Sequence, residues 1–244
     1  MKKIFAFLML TAAVAVSCHK GGGSDNGGGN NGGGNNKGLA ITIDGKFEDW
    51  AGMDPTKVSV SKNDPESPWG DVVAEIRCCA DADFVYYYVK FNKTLLNELL
   101  DGNDELFARL NLNTDGEFTS GYKNYSLDGY DFIVEGAIGD GKGGFGDFAC
   151  ELFKRNDQGD WDSLLPSTSG LVMGKGAGNE YEILLARELF NNAVPAEHKM
   201  GDVFYTGMRF YQGDWAELTN MPNEAVTEDN PNGWGHLMKI TTVK

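Results

Sequence analysis

Short runs of alternating apolar and polar residues are the main pattern of this chain from Val58 onward. Alternation with a period of two is typical of β-strands that bury one face. Gly, Asn, Asp and Pro separate the runs, as expected for turns between strands. The pattern predicts strands at 72–79, 84–91, 105–112, 130–137, 148–155, 171–173, 181–185, 203–211 and 237–243.

Two features refine this picture of the fold. The run 84–91 is apolar on both faces, which favours a central strand. A helical pattern covers 92–101, with Thr94 as the predicted N-cap and Gly102 ending the helix, and one or two further helical turns are predicted within 186–192. Many short strands with few helices predict an all-β fold, a jelly-roll-like antiparallel β-sandwich with one or two short helices.

The N-terminal segment has a different composition from the rest. Residues 1–17 contain Lys2 and Lys3, then an apolar run too short to span a bilayer, then small residues, which is the layout of a secretory signal. The residues up to Cys18 resemble a bacterial lipobox, which implies cleavage before Cys18 and lipidation of its thiol in the cell envelope, on the periplasmic or surface face. Residues 18–37 then combine the lipidated cysteine with a flexible Gly/Asn-rich tether, and 38–244 form one domain.

Charge narrows the classes of partner. The formal net charge is −15, so the surface repels nucleic acid and anionic lipid and suits neutral ligands and divalent cations. We therefore expect contact with the membrane only through the lipid anchor. Beyond Cys18 the chain has Cys78, Cys79 and Cys150; a Cys78–Cys150 disulfide and buried free thiols are both compatible with the pattern.

A family resemblance begins in the segment from Ile41 to Trp50. There Ile41 and Ile43 alternate as in a short strand, an Asp-Gly turn follows, and Trp50 is expected to close one end of the core. The Ile-Asp-Gly-x-x-x-Asp-Trp-Ala pattern resembles the opening of carbohydrate-binding module family 9-like domains. Later counterparts follow in the same order: 81–89, 113–116, 129–132, 181–183 and 230–235.

The resemblance implies a β-sandwich that binds poly- or oligosaccharide through aromatic side chains, often with structural calcium. Exposing a Trp on a loop is costly, so an exposed one suggests a stacking surface for a sugar ring. The candidate stacking residues are Trp69, Trp161 and Trp215, whereas Trp234 lies in a framework-like stretch and is expected in the core. Three residues near Trp215 in sequence are candidates for contacts with sugar hydroxyls: Arg209, Gln212 and Asp214.

An Asn/Asp-rich segment after the third long strand is a candidate calcium site. Its alternating oxygen side chains and glycine resemble the first half of an EF-hand loop, but the closing Glu is missing. Carboxylates from the following segment would have to complete the site. The candidate ligands are Asn111, Asn113, Asp115, Asp128 and Asp131. A simple Asn-Asp-Gly turn between strands is the alternative.

Signals for catalysis are weak. The three histidines, His19, His198 and His236, fall in no hydrolase or metalloprotease motif, and we expect the last two to be structural or on the surface. The sequence therefore favours a non-catalytic carbohydrate-binding lipoprotein. An envelope scaffold or protein-interaction lipoprotein on the same sandwich is the alternative, and a glycoside-processing enzyme with paired carboxylates is a remote one.

Overall fold

The computed structural model describes residues 39–102 and 104–244. The predicted signal sequence, the lipidated Cys18 and the tether lie outside these residues. Within the described part of the chain, twelve strands account for most of the regular structure. They are β1 Ser59–Lys62, β2 Val73–Ala80, β3 Phe84–Phe91, β4 Leu106–Asn113, β5 Phe132–Gly139, β6 Phe145–Arg155, β7 Trp161–Leu165, β8 Val172–Ala177, β9 Glu180–Ala186, β10 Val203–Gln212, β11 Glu217–Met221 and β12 Met238–Thr241.

The strands form two sheets, in which all the named strand pairs are antiparallel. Sheet A has the order β1-β2-β3-β9-β8, and sheet B has the order β11-β10-β4-β5-β6-β7, with β12 also pairing with β10. The chain passes from one sheet to the other after β3, β7 and β9, as in jelly-roll-like sandwiches. The predicted antiparallel β-sandwich is confirmed.

The main core lies between the sheets. β3 is flanked by β2 and β9 and is apolar on both faces, as predicted. Its Val85, Tyr87 and Val89 face inward, where the Tyr87 and Thr206 hydroxyls lie 3.1 Å apart. A bulge between Val73 and Glu75 changes the alternation of β2, so that Val73 faces the core together with Cys78.

The described cysteines, Cys78, Cys79 and Cys150, are all buried free thiols. Burial raises the pKa of each thiol. Of the two arrangements left open by the sequence, the structure shows the one without a disulfide.

The segment before β1 covers the outer face of sheet A. Ile41 and Ile43 are not in a strand, contrary to prediction, but pack with Trp50 onto Tyr86 and Tyr88. Trp50 is 1% exposed, so its predicted burial is confirmed, but it lies in a second cluster on the outer face of sheet A and does not close an end of the main core.

The buried Glu182 carboxylate holds this covering segment in place. It accepts hydrogen bonds from the backbone N–H groups of Asp44 and Gly45, at 2.6 and 2.7 Å. The segment therefore binds to sheet A through side-chain packing and hydrogen bonds between side chains and backbone rather than through strand pairing.

Among the described residues, three short α-helices complete the fold: α1 Glu48–Ala51, α2 Lys93–Asp101 and α3 Arg187–Ala193. The N-cap of α2 is Asn92, whose side chain accepts from the N–H groups of Thr94 and Leu95, so the prediction of Thr94 as the cap is wrong by two residues. Gly102 ends α2, as predicted. None of the helices described has the length and apolar character needed to cross a membrane.

Candidate functional site

The outer face of sheet B carries a row of charged residues beside a row of aromatic ones. Strand register places Arg209 on β10 opposite Arg109 on β4, and Arg109 opposite Glu135 on β5. The neighbouring row places Tyr211 opposite Phe107. Arg109 forms an ion pair with Glu135, and its guanidinium carbon lies 5.0 Å from the centre of the Tyr211 ring. Polar and flat apolar groups therefore alternate on one face.

Arg209 is at the centre of this face, although it is only 1% exposed. Its guanidinium forms an ion pair with Glu217 and lies over the rings of Tyr125 and Tyr211. Its carbon is also 5.8 Å from the centre of the Trp69 ring. A buried, charged planar group that contacts three rings fixes their relative positions. We call Arg209, Trp69, Tyr125, Tyr211, Phe107 and Trp215 the Arg209 surface.

Trp215 is the most exposed tryptophan of the Arg209 surface. It lies in the turn between β10 and β11, stacks on Phe107 with ring centres 5.0 Å apart, and is 50% exposed. Its backbone φ is 67°, in the left-handed region where turns ordinarily use Gly or Asn. A bulky residue in that conformation costs about 1 kcal/mol. The turn therefore presents a large ring to solvent at some cost in stability.

Trp69 and Tyr125 form the other side of the Arg209 surface. Their ring centres are 6.0 Å apart, and the Trp69 indole N–H donates to the Asn232 carbonyl at 2.8 Å. Tyr125 has a φ of 71° and also contacts the Trp234 ring. It is thus the second aromatic residue of this face that has a left-handed backbone. Trp234 itself is partly exposed and lies beside this surface rather than in the core, so its predicted core position is wrong.

Gln212 and Asp214, two predicted hydroxyl-contact residues, line a small cleft of about 240 Å³ together with Asp104 and Gly213. One Asp214 carboxylate oxygen accepts from the Ala216 N–H at 2.9 Å and so helps to form the turn. Arg209, the third predicted hydroxyl-contact residue, is covered by the aromatic rings and does not face solvent. The structure therefore brings Trp69, Trp215 and Arg209 together, with Gln212 and Asp214 at one edge.

No model of a known protein family matches this chain, and no curated protein compared with it is significantly similar.

Trp161, the remaining predicted stacking residue, belongs to a separate group on the same sheet face. It lies edge-on to Tyr122, with ring centres 5.5 Å apart, and nearly parallel to the buried Tyr130. The Arg155 guanidinium carbon is 4.2 Å from the centre of the Tyr122 ring. Trp161 is partly exposed, and much of its ring packs against these tyrosines.

The five predicted calcium ligands are only partly brought together. Asp115 and Asp131 lie close to each other, and His198 joins them. Asn113 instead stabilises the loop after β4, because its side chain accepts from the Gly116 N–H and donates to the Gly129 carbonyl. The side-chain oxygen of Asn111 is buried without a hydrogen-bond partner in the described part of the structure.

Asp128 has other partners. Its carboxylate binds the His236 imidazole at 2.9 Å and the Leu237 N–H at 2.8 Å. His236 was expected to be structural or on the surface; its side chain is 66% exposed and makes this contact.

The Asp115–Asp131–His198 group is defined by two contacts. His198 Nδ1 is 3.5 Å from Asp115 Oδ2 and 3.8 Å from Asp131 Oδ2. Burial and the nearby Asp115 raise the pKa of the Asp131 carboxyl, while His198 and Lys154 act in the opposite direction. His198 was expected to be structural or on the surface, and no motif in the sequence links it to the two aspartates. Its proximity to them arises only from the tertiary fold.

Proposed function

We propose that this protein is a non-catalytic carbohydrate-binding protein that recognises poly- or oligosaccharide on the outer face of sheet B. The observation that carries this proposal is the Arg209 surface, in which the half-exposed Trp215 is stacked on Phe107. The C–H face of a sugar ring is apolar and packs well on a flat aromatic ring, while its hydroxyls require hydrogen-bond partners. Gln212 and Asp214, which lie in the same turn as Trp215, are the candidate partners.

The left-handed backbone of both Trp215 and Tyr125 supports this proposal. Strained backbone conformations persist where the surrounding structure enforces them, and they are frequent at ligand sites. Here the two residues lie on the same sheet face, where Tyr125 contacts the Arg209 guanidinium and Trp215 contacts Phe107 and Tyr211. If these positions served only to form the local backbone conformation, Gly or Asn would adopt it with less strain. Function is the simpler reason for an aromatic side chain at both.

An envelope scaffold or protein-interaction lipoprotein is the second candidate. Trp69 and Trp161 favour it, because both rings are partly covered by neighbouring tyrosines. A protein partner would bury the same aromatic face without reading sugar hydroxyls. This candidate predicts no response to any glycan.

The proposal extends to the location of the protein. Lipidation of Cys18 would hold the domain at the envelope membrane. Metabolic labelling with a fatty acid tests this directly, since a Cys18→Ala chain should lose the label and the membrane association. Label retained by Cys18→Ala would exclude the anchor.

Titration calorimetry against a panel of neutral and acidic oligosaccharides tests the binding function. Covering the exposed half of Trp215 removes about 80 Å² of ring from water, or roughly 2 kcal/mol at about 25 cal/mol per Å². We therefore expect Trp215→Gly to weaken binding about 30-fold. Because glycine removes the left-handed strain while losing the stacking on Phe107, the free energy of unfolding should change by no more than about 1 kcal/mol.

Trp161→Ala is the matched comparison, since it removes an indole from the separate group on the same face. An affinity loss confined to Trp215→Gly would locate the sugar on the Arg209 surface. The absence of heat with every glycan in the panel would refute the proposed function and favour the scaffold candidate.

A further inference from the structure

The Asp115–Asp131–His198 group contains buried polar atoms that lack partners. Asp131 is 9% exposed, and its Oδ2 atom has no hydrogen-bond partner within the part of the chain that the structure describes. His198 Nδ1 is also buried and also lacks a hydrogen-bond partner within the described residues. Buried polar atoms are nearly always paired, and leaving one unpaired costs about 1–3 kcal/mol. Two such atoms that face each other indicate a missing partner between them.

The spacing of the three atoms fits a small divalent cation. A tetrahedral ion with bonds of about 2.1 Å holds its ligands about 3.4 Å apart. The separations from His198 Nδ1 are 3.5 and 3.8 Å, and all three candidate ligand atoms lie within 4.8 Å of one another. Movements of a few tenths of an ångström in His198 and a larger rotation of the exposed Asp115 would complete this geometry.

We propose that Asp115, Asp131 and His198 bind a first-row divalent transition cation of the zinc class. Imidazole nitrogen is a good ligand for Zn²⁺, Co²⁺ and Ni²⁺, whereas Ca²⁺ takes oxygen ligands. Two carboxylates and a neutral imidazole also balance the charge of the ion. This site stands apart from the sugar proposal, since it rests on different residues.

The surroundings of the three ligands favour a preformed site with an open position. Asp131 immediately precedes β5; its N–H donates to the Leu112 carbonyl and its carbonyl accepts from the Arg155 N–H, so its backbone is fixed. The His198 carbonyl accepts from the Thr114 hydroxyl at 2.7 Å. The three ligands line a cleft of about 480 Å³, through which water can complete the coordination.

Two cationic residues, Lys154 and Arg155, line the same cleft. Each lies near an aromatic ring: the Lys154 ammonium is 6.0 Å from the centre of the Phe132 ring, and Arg155 lies over Tyr122. Their charges would weaken cation binding but would attract an anion to the open position.

Because Asp115 and Asp131 bracket the segment that carries Tyr122 and Tyr125, a bound ion would also hold the ends of that segment together.

Calorimetric titration of the chelator-treated full chain with Zn²⁺ tests the site. We expect one zinc per chain, with affinity at least about tenfold lower in His198→Gln and in Asp131→Asn. His236→Gln is the matched control, because His236 also contacts an aspartate yet lies outside the group; its affinity should equal that of the wild type. Ca²⁺ should compete poorly.

A second measurement uses the unchanged protein and so does not depend on the variants folding. In imidazole nitrogen NMR, zinc should shift the Nδ1 resonance of His198 and leave that of His236 in place. Three results would overturn the proposal: no stoichiometric zinc binding, binding unchanged in His198→Gln, or Ca²⁺ binding as tight as that of Zn²⁺.

Discussion

Arg209→Ala should lower the free energy of unfolding by about 3 kcal/mol and remove measurable oligosaccharide binding. The guanidinium is almost fully buried, pairs with Glu217 and contacts the Tyr125 and Tyr211 rings. Removing one member of a buried ion pair costs about 3–5 kcal/mol. We expect a cost at the lower end of this range because Glu217 is partly exposed, with 36% of its side chain accessible.

The loss of binding would follow from the loss of ring positions, since Arg209 itself does not face solvent. Without it, Tyr125 and Trp69 lose the partner that they share with Tyr211. Arg209→Lys keeps the charge but not the planar group, so it should recover part of the stability and little of the affinity.

Arg77→Ala is the matched control for Arg209→Ala. Arg77 lies over the Tyr88 ring at 5.4 Å on the outer face of sheet A, which is the same kind of contact on the other sheet. It should cost some stability, measured by urea denaturation, and leave glycan affinity unchanged. Equal affinity losses in the two variants would show that the effect reflects general destabilisation rather than the Arg209 surface.

Trp50→Ala should lower the free energy of unfolding by about 4 kcal/mol. Trp50 is 1% exposed, and its ring centre is 5.5 Å from that of Tyr88 beneath the covering segment. Truncation of a fully buried tryptophan leaves a large cavity and typically costs about 3–5 kcal/mol. Trp50→Phe, which fills part of the cavity, should cost less than half as much.

The comparison for Trp50→Ala is a tryptophan substitution at an exposed position. Trp215→Ala should change stability by only about 1 kcal/mol, since half of that ring is already in water. The two variants should differ in the opposite way in glycan affinity. Trp215→Ala should bind more weakly, whereas the folded fraction of Trp50→Ala should bind as the wild type does. If the two variants were equally stable, Trp50 would not hold the covering segment on sheet A.

The long strands were predictable from local patterns, and the short edge strands were not. β3 was predicted at its observed bounds, because apolar residues on both faces give a strong signal. The short β1, β7 and β11 lie at sheet edges, where one side of the strand is unpaired and the alternation is weak. The segment at Ile41 and Ile43 has the alternation of a strand, but it packs on sheet A through its side chains without pairing with another strand. The sequence pattern does not distinguish a paired strand from such a segment.

The candidate site was predictable only where its residues are neighbours in sequence. Gln212, Asp214 and Trp215 share one turn, so local reasoning grouped them correctly. Trp69 and Tyr125 reach Arg209 through contacts between distant parts of the chain, which no periodicity encodes. His198 likewise joins Asp115 and Asp131 through the position of the turn after α3, and its sequence neighbourhood gave no metal-binding spacing.

The most direct test of the account observes the indole N–H resonances of the five tryptophans while an oligosaccharide is added. The Arg209 surface predicts that the signals of Trp215 and Trp69 shift with one common affinity, while the signal of Trp50, buried on the other sheet, stays in place. Assignments come from the Trp215→Gly and Trp50→Phe variants. A saturable glycan response in which the Trp215 signal does not move, or no response to any glycan, would contradict the account.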